Sequence, residues 1–308
     1  MGSKKSGKLL ETVILDIKRF SIDDGPGIRT TVFLKGCSLH CQWCHNPESM
    51  HREPEVQYFP HLCTGCQKCV KACPVNAQRM ESGKRKFIRD LCKHCGKCVE
   101  ACNNKALVMA GKRMTVAQVL KEVEKDKIFY DRSGGGVTFS GGEPLLHPGF
   151  LFELLKKVKA KGIHTAVETA GNVPWKTFED VLPYTDLFLY DVKVIDEEKH
   201  KAFTGVSNKQ IVENLKKLGT MKTALSIRIP VIPGVNDTAG EMERIACLVK
   251  DFSAVTSIEL MPYHNIAQGK YESLGIEYKF KDITALSTEQ IVHLTKVFAH
   301  RNLPVNKN

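Results

Sequence analysis

The chain has 308 residues, 42% of them hydrophobic and 26% charged, with a net charge of +11. That is the composition of a soluble globular protein, long enough for one large α/β domain with a small insert or for two ordinary domains. No apolar run reaches membrane-spanning length, and the lysines are too scattered to mark a nucleic-acid surface, so neither a membrane nor a nucleic acid is an expected partner.

The opening MGSKKSGK lacks the apolar middle of a secretory signal. It is left out of the fold reading, and a cytoplasmic location is expected. Residues 11–20, ETVILDIKRF, alternate as a strand does. Residues 21–30, SIDDGPGIRT, are turn-rich. TTVFLKG (30–36) reads as a buried strand ending at a glycine, and a cysteine loop follows at once. From about 52 to 110 the composition turns Cys- and Lys-rich, as in a small insert that builds no core without metal.

Beyond the insert, helices and strands alternate. Helix 115–126 precedes strand 137–141. Helix 148–160, strand 164–169, a short helix at 174–182 and strand 187–193 follow. Helices 196–202 and 208–218 lead to strand 225–232, helix 239–250 leads to strand 257–263, and helix 287–300 closes the pattern. Such alternation implies a parallel sheet with right-handed crossovers. With TTVFLKG there are six strands, too few for a complete eight-stranded barrel. The expected fold is α/β: an open, partial (β/α)6 TIM-like barrel from 10–51 and 111–308, interrupted by the insert at 52–110.

Nearly every strand ends in glycine or polar residues: Gly36-Cys37, Ser140-Gly141-Gly142-Glu143, Glu168-Thr169, Asp191 and Lys193, Arg228, His264. Sites in parallel α/β sheets lie at the carboxyl ends of the strands. These residues are therefore expected to share one mouth.

Eleven of the twelve cysteines lie between Cys37 and Cys102. A disulfide framework suits a short secreted chain, whereas clustered thiols in a reducing compartment point to metal. Cys247, in the helical pattern EMERIACLVK, is expected to be a small buried apolar residue. Cys37, Cys41 and Cys44 have the spacing Cys-x3-Cys-x2-Cys. Three thiolates leave one iron of a [4Fe–4S] cubane without a protein ligand, where closed clusters take four. An open position distinguishes a catalytic metal site from a structural one. The alternatives are a zinc knot or an electron-transfer cluster with a distant fourth cysteine, and either leaves the strand-end pattern unexplained.

Cys63-x2-Cys66-x2-Cys69-x3-Cys73-Pro74 matches the bacterial ferredoxin run, and Cys92-x2-Cys95-x2-Cys98-x3-Cys102 repeats its spacing with Asn103 in place of the proline. In two-cluster ferredoxins the fourth cysteine of each run ligates the other cluster. One [4Fe–4S] cluster is expected on Cys63, Cys66, Cys69 and Cys102, and another on Cys92, Cys95, Cys98 and Cys73. A pair of zinc sites is the rival reading, although zinc has no use for the interleaved repeat. The insert would serve as an electron relay or a redox-tuned docking module.

The Cys37–Cys44 loop is similar to the signature of the radical S-adenosylmethionine (SAM) superfamily. The turn Asp24-Gly25-Pro26-Gly27-Ile28-Arg29-Thr30, the segment Cys44-His45-Asn46-Pro47-Glu48-Ser49 and the two-cluster insert occur in that family order. Together they resemble the glycyl radical enzyme activating enzymes, in the subgroup with a ferredoxin-like insert, over almost the whole chain from Thr12 onward. The resemblance implies that the open iron is chelated by the methionine moiety of SAM. One electron then cleaves the sulfonium to methionine and a 5′-deoxyadenosyl radical. It implies a hydrogen abstracted from a backbone glycine of a partner glycyl radical enzyme, with flavodoxin or ferredoxin as electron donor. A monomer is expected.

The resemblance also assigns residues. Ser140, Gly141, Gly142 and Glu143 match the motif whose backbone takes the methionine amino group. Trp43, Cys44 and His45 match the stretch along the adenine. Asp191, Val192 and Lys193 match cosubstrate contacts near a monovalent cation, with Glu168 and Thr169 beside that cation. Arg228 and His264 match further cosubstrate contacts. Asp24, taken to lie at the rim of the mouth, is the candidate contact to the partner's glycine loop. No side chain is itself expected to be catalytic, since the chemistry lies at the cluster.

Asp131–Gly136 lacks the Lys-Ser/Thr of a phosphate loop and reads as a flexible rim loop. Two other functions stay open: a radical enzyme acting on a small molecule, and a ferredoxin-type electron carrier. The first is favoured by a long C-terminal substrate domain, and none is visible after His264. The second leaves the strand-end motifs without a purpose.

Overall fold

The computed structural model describes residues 10–306; the opening MGSKKSGK lies outside the described residues. β1 (Glu11–Ser21) and β2 (Arg29–Leu34) pair antiparallel. Four short strands follow: β3 (Glu55–Tyr58), β4 (Gln78–Glu81), β5 (Lys84–Phe87) and β6 (Leu107–Ala110). The rest are β7 (Lys112–Thr115), β8 (Gly136–Gly141), β9 (His164–Thr169), β10 (Leu187–Asp191), β11 (Ala224–Val231) and β12 (Val255–Pro262).

One eight-stranded sheet runs β12-β11-β10-β9-β8-β2-β1-β7. From β2 to β12 every neighbouring pair is parallel. These are the six strands that the alternation announces, and the fold is α/β with a parallel sheet. β1 and β7 extend it antiparallel at one edge. β7 is four residues of the charged sequence KRMT, a composition suited to an edge strand and easily missed in a sequence.

Crossover helices cover the sheet with stripes at helical spacing. Helix Pro148–Ala160 buries Phe150, Leu151, Leu154, Leu155 and Val158. Helix Ala239–Val249 buries Met242, Ile245, Ala246 and Val249. Cys247 falls outside that stripe and is exposed, contrary to the expected burial. The helical phase, one residue past Ala246, decides this and not the side chain's polarity.

Two further expectations fail. Asp131, Arg132 and Ser133 do not form a flexible rim loop but end helix Lys127–Ser133, which Gly134 caps in the left-handed conformation. Ser133 Oγ accepts the Ile28 amide at 2.9 Å. The Asp24–Thr30 turn is likewise not at the rim of the mouth. β2 runs from Arg29 toward Cys37, so the turn before it sits at the amino ends of the parallel strands, where Gly25 abuts Leu187.

The stretch 55–110 has little apolar interior of its own: its buried cluster is Val56, Cys98 and Leu107. β3 pairs with β6 and β4 with β5. Polar contacts fix it to the rest of the chain. The fully buried Lys35 pairs with Glu55 at 3.1 Å, and Gln57 donates to Ser273 Oγ at 3.1 Å.

Candidate active site

The cysteine loop leaves β2 at Gly36, whose φ of 103° few other residues adopt. Its backbone is held from two sides. Gly36 and Cys37 donate to the carbonyls of Ser49 and Met50 at 2.7 and 3.0 Å. His40 and Gln42 donate to Thr204 and Phe203 at 2.8 and 3.0 Å, at the end of helix Glu197–Thr204. The helix carbonyls left free at that terminus thus find partners in the loop.

So anchored, Cys37, Cys41 and Cys44 line one cavity at the carboxyl ends of the strands. Ser140, Gly141, Gly142, Glu168, Thr169, Asp191, Lys193, Trp43, His45 and His264 face the same space. Burial pushes the Cys37 and Cys44 thiols up to about 12. Metal binding must therefore displace their protons.

Lys193 Nζ donates to Asp191 Oδ2 at 2.8 Å. Burial works against the ammonium, but Asp191 and then Cys41 outweigh it and raise its pKa. The site thus keeps a fixed positive charge beside the thiols. His45 and His264 stack with centroids 4.0 Å apart. Trp43 is mostly core, packed on Phe203 and Phe280 at 6.1 and 6.0 Å, with part of its surface on the cavity.

Other expected contacts fall elsewhere. Glu143 turns away from the cavity. It is fully buried, and its carboxylate accepts from Thr169 Oγ1 at 2.8 Å and from the Ala170 amide at 3.0 Å. It therefore ties the end of β8 to the end of β9. Val192 packs in the hydrophobic core, and its amide donates to the Arg228 carbonyl at 2.8 Å.

Arg228 does not line this cavity but a second, larger one that shares Met261, Pro262 and His264 with it, together with Asp23, Gly25, Pro26 and Glu259. It pairs with Glu168 at 2.8 Å and Glu259 at 3.3 Å, and donates to the Asp23 carbonyl. Asp24 accepts from Thr31 Oγ1 at 2.5 Å and, through its carbonyl, from Thr138 at 2.7 Å.

The two glycines after Ser140 are needed for strand packing. A Cβ on Gly141 would lie 2.3 Å from the Leu34 carbonyl oxygen, and one on Gly142 2.3 Å from that of Gly36. They let β8 close against the root of the cysteine loop.

In the insert, Cys63, Cys66, Cys69 and Cys102 line one cavity and Cys73, Cys92, Cys95 and Cys98 another. Among the described residues, no three Cys, His, Asp or Glu side chains converge on a single metal ion. A zinc ion would need its thiolates about 2.3 Å from one point. The donors are spread around volumes, as suits a multi-iron group. Polar atoms near the main cavity also fit a guest: among the described residues, His45 Nε2 is buried without a partner, as is Glu48 Oε2 in the following turn.

Several lining residues carry no motif signal. Leu39, Pro230 and Ile232 reach the cavity only because of how the chain packs. Met261, Pro262 and Tyr263 differ, since they adjoin His264 in MPYH.

Comparison with known proteins adds to this geometry. Residues 90–245 match the model of the radical SAM superfamily, and residues 55–103 match a 4Fe-4S dicluster domain. The chain is 42% identical to the trans-4-hydroxy-L-proline dehydratase activating enzyme of Clostridioides difficile, over 95% of this chain and 98% of that one. It is 45% identical to the isethionate sulfite-lyase activating enzyme of Oleidesulfovibrio alaskensis, over 85% and 86%. A radical SAM methyltransferase structure from Sphaerobacter thermophilus shares the fold, with a TM-score of 0.54 at 13% identity over 96% of this chain and 76% of that one.

Proposed function

The chain belongs to the radical SAM superfamily and, within it, to the activating enzymes of glycyl radical enzymes, and we propose that Cys37, Cys41 and Cys44 hold the [4Fe–4S] centre on which that activity depends. When bound, the centre supplies the electron that splits SAM to methionine and a 5′-deoxyadenosyl radical, which takes a hydrogen atom from a glycine Cα of the partner enzyme. The observation that carries the assignment is the shared wall. The three thiols, the Gly141–Gly142 backbone, the Asp191–Lys193 pair and His264 all face one cavity.

Roles follow from chemistry. Lys193, fixed by Asp191, pairs with the methionine carboxylate. The backbone at Ser140–Gly142 receives the amino group. His45 and His264 offer ring faces and a free imidazole nitrogen to the adenine, with Trp43 behind them. Glu143 and Val192 act as scaffold. Arg228 acts at one remove, by holding Glu168 in place and clasping the turn at Asp23. Asp24 remains the proposed contact to the partner's glycine loop, now from the amino ends of the parallel strands. The monovalent cation expected beside Glu168, Thr169 and Asp191 is not part of this proposal. Arg228 and Lys193 already neutralise two of those carboxylates.

The partial barrel would comprise 10–51 and 111–308, and the ferredoxin-like insert 52–110. The insert would bind two further clusters, one on Cys63, Cys66, Cys69 and Cys102 and one on Cys73, Cys92, Cys95 and Cys98. It would relay electrons from a flavodoxin or ferredoxin, and the protein would act as a monomer. Among the described residues no helix is long and apolar enough to cross a membrane.

Isotope tracing tests the proposal. A partner enzyme made with Cα-deuterated glycine should deliver deuterium into 5′-deoxyadenosine. Deoxyadenosine that stays unlabelled while being produced would place the hydrogen source elsewhere.

A further inference from the structure

The two cysteine cavities of the insert differ in how far they stand from the main sheet. β3 and β6 form the ribbon beside both. β3 starts at Glu55, which pairs with the buried Lys35 at 3.1 Å. β6 ends at Ala110, and the next residue, Gly111, packs so closely that a Cβ there would lie 2.5 Å from Lys35. That end of the ribbon is therefore rooted just after β2. Tyr58 pairs with Leu107 at the opposite end. The cavity of Cys73, Cys92, Cys95 and Cys98 is lined by Val56, near the root. The cavity of Cys63, Cys66, Cys69 and Cys102 is lined by Tyr58, Ala106 and Leu107. Tyr58 lies two residues, or about 7 Å, further out along β3 than Val56.

The inner cavity is also tied to the segment that follows the Cys37–Cys44 loop. Phe87 lines it, and Arg89 stacks over the Phe87 ring at 4.8 Å. Arg89 donates to the Ser273 carbonyl at 3.3 Å, in helix Gln268–Leu274. Lys270 of that helix donates to Asn46 Oδ1 and pairs with Glu48, each at 2.7 Å, just beyond Cys44. Among the described residues, the backbone bonds of the first cysteine run stay local, as from Cys63 to the Pro60 carbonyl at 3.0 Å and from Cys73 to the Val70 carbonyl at 3.3 Å.

Charge gathers on the same insert. Residues 52–110 carry eleven Lys and Arg against five Asp and Glu, more than half of the chain's net charge of +11. Lys68 and Arg85 line the outer cavity, and its lining among the described residues includes no Asp or Glu. Lys105 stands beside it, its amide bonded to the Cys102 carbonyl at 3.1 Å. Lys68, Lys105 and Cys66 are exposed. Cys95 of the inner cavity is exposed too, so exposure does not choose between the two cavities, whereas distance from the sheet does.

We propose that the outer cavity, with Lys68, Arg85 and Lys105 around it, is the face on which an acidic one-electron carrier protein docks and delivers its electron. This rests on the reading of both insert cavities as iron–sulfur sites. The carrier is oxidised by one electron and the site it meets is reduced by one, and no bond forms or breaks. The inner cavity then stands between the docking face and the Cys37, Cys41 and Cys44 site. Electron-transfer encounters are small, and complementary charge sets their rate more than their affinity.

The test follows electron delivery by anaerobic stopped flow, with a reduced acidic flavodoxin as the probe and the full-length, iron-loaded protein as acceptor. The visible bands of flavin and clusters report the transfer, so no turnover is needed. Lys68→Glu with Lys105→Glu should slow the second-order step by about tenfold at low ionic strength and leave the iron content unchanged. Lys93→Glu with Lys97→Glu, on the second run, should slow it by no more than about threefold. Added salt should slow the unaltered protein and narrow the gap between the variants. If the Lys68 and Lys105 Glu pair loses iron, Lys68→Gln with Lys105→Gln removes the charges alone and should still slow delivery by about threefold. The cationic methyl viologen radical, too small to need docking, should reduce every variant at least as fast as the unaltered protein.

Equal losses from the two Glu pairs, or a larger loss from Lys93 and Lys97, overturn the inference and leave the iron–sulfur reading standing. A salt-independent rate in the unaltered protein, or a matching loss with methyl viologen, overturns it as well. An unaltered protein that binds only about four irons, where three centres need about twelve, would overturn the reading of the insert cavities and the inference with it.

Discussion

Arg228 Nη1 lies 2.8 Å from Glu168 Oε1, joining β11 to β9 across the intervening β10. The same guanidinium reaches Glu259 on β12 and the Asp23 carbonyl below. Burial works against its charge, but Glu168 and Glu259 outweigh it and raise its pKa. One side chain therefore ties three strands to the turn before β2.

Replacing Arg228 by Met strands two carboxylates in a buried setting. The expected loss is about 3–5 kcal/mol of stability, the cost of removing one partner of a buried pair. Adding Glu168→Gln should recover part of it. Anaerobic denaturant unfolding of the single and double variants measures this. Equal losses in both would contradict the coupling.

Gly142→Ala places a Cβ 2.3 Å from the Gly36 carbonyl oxygen, at the root of the cysteine loop. Backbone cannot give way as a side-chain tip would. The loop should shift, and the protein should retain the insert iron while losing about four irons from the Cys37 site. Iron and sulfide analysis decides. Full iron content with normal SAM cleavage would count against the close fit.

The cysteines of the insert should fall into two interleaved sets. Cys102→Ser should disturb the same cluster as Cys63→Ser, and Cys73→Ser the same cluster as Cys92→Ser. Mössbauer spectra of the four variants would show two matching pairs. If Cys73→Ser instead matched Cys63→Ser, each run would ligate its own cluster.

His147 supplies a pH test. Its Nδ1 meets Thr12 Oγ1 at 2.8 Å and its Nε2 meets the Lys35 carbonyl at 2.6 Å. A carbonyl only accepts, so Nε2 carries the hydrogen and Nδ1 accepts from Thr12. Burial lowers the imidazole pKa from 6.5. A folded pKa below the unfolded one gives stability that is whole above 6.5 and is lost as pH falls below it. The advantage over His147→Gln should therefore shrink on acidification, by up to about 1.4 kcal/mol per pH unit. Unfolding at about pH 8, 7 and 6 measures it, and a constant gap would contradict the neutral assignment.

Local pattern carries the sheet and the cysteine sets. Six parallel strands follow from apolar runs alternating with helical stripes, and β9 and helix Pro148–Ala160 have the boundaries their sequence suggests. The two insert cavities each collect three cysteines of one run and the last of the other, as the repeat implies. The direction of β2 also fixes the end at which the Asp24 turn sits, so its placement was available from strand order alone. Other features were not legible. Glu143 belongs to a motif by sequence, yet the chain reverses after Gly142 and carries its carboxylate to Thr169. Lys270 meets Asn46 and Glu48, just beyond the cysteine loop, from more than two hundred residues away, and helix Gln268–Leu274 is too short to announce itself. Contacts of that range depend on packing and leave no periodic trace.

The central claim is that the Cys37, Cys41 and Cys44 centre arms a partner glycine. The most direct measurement is the spin-resonance spectrum after anaerobic mixing of the reduced protein, SAM and a candidate partner glycyl radical enzyme. A glycyl doublet should appear with the unaltered chain, accompanied by 5′-deoxyadenosine, and both should vanish with Cys37→Ala. A doublet that persists in Cys37→Ala, or deoxyadenosine formed with no doublet on that partner, would contradict the account.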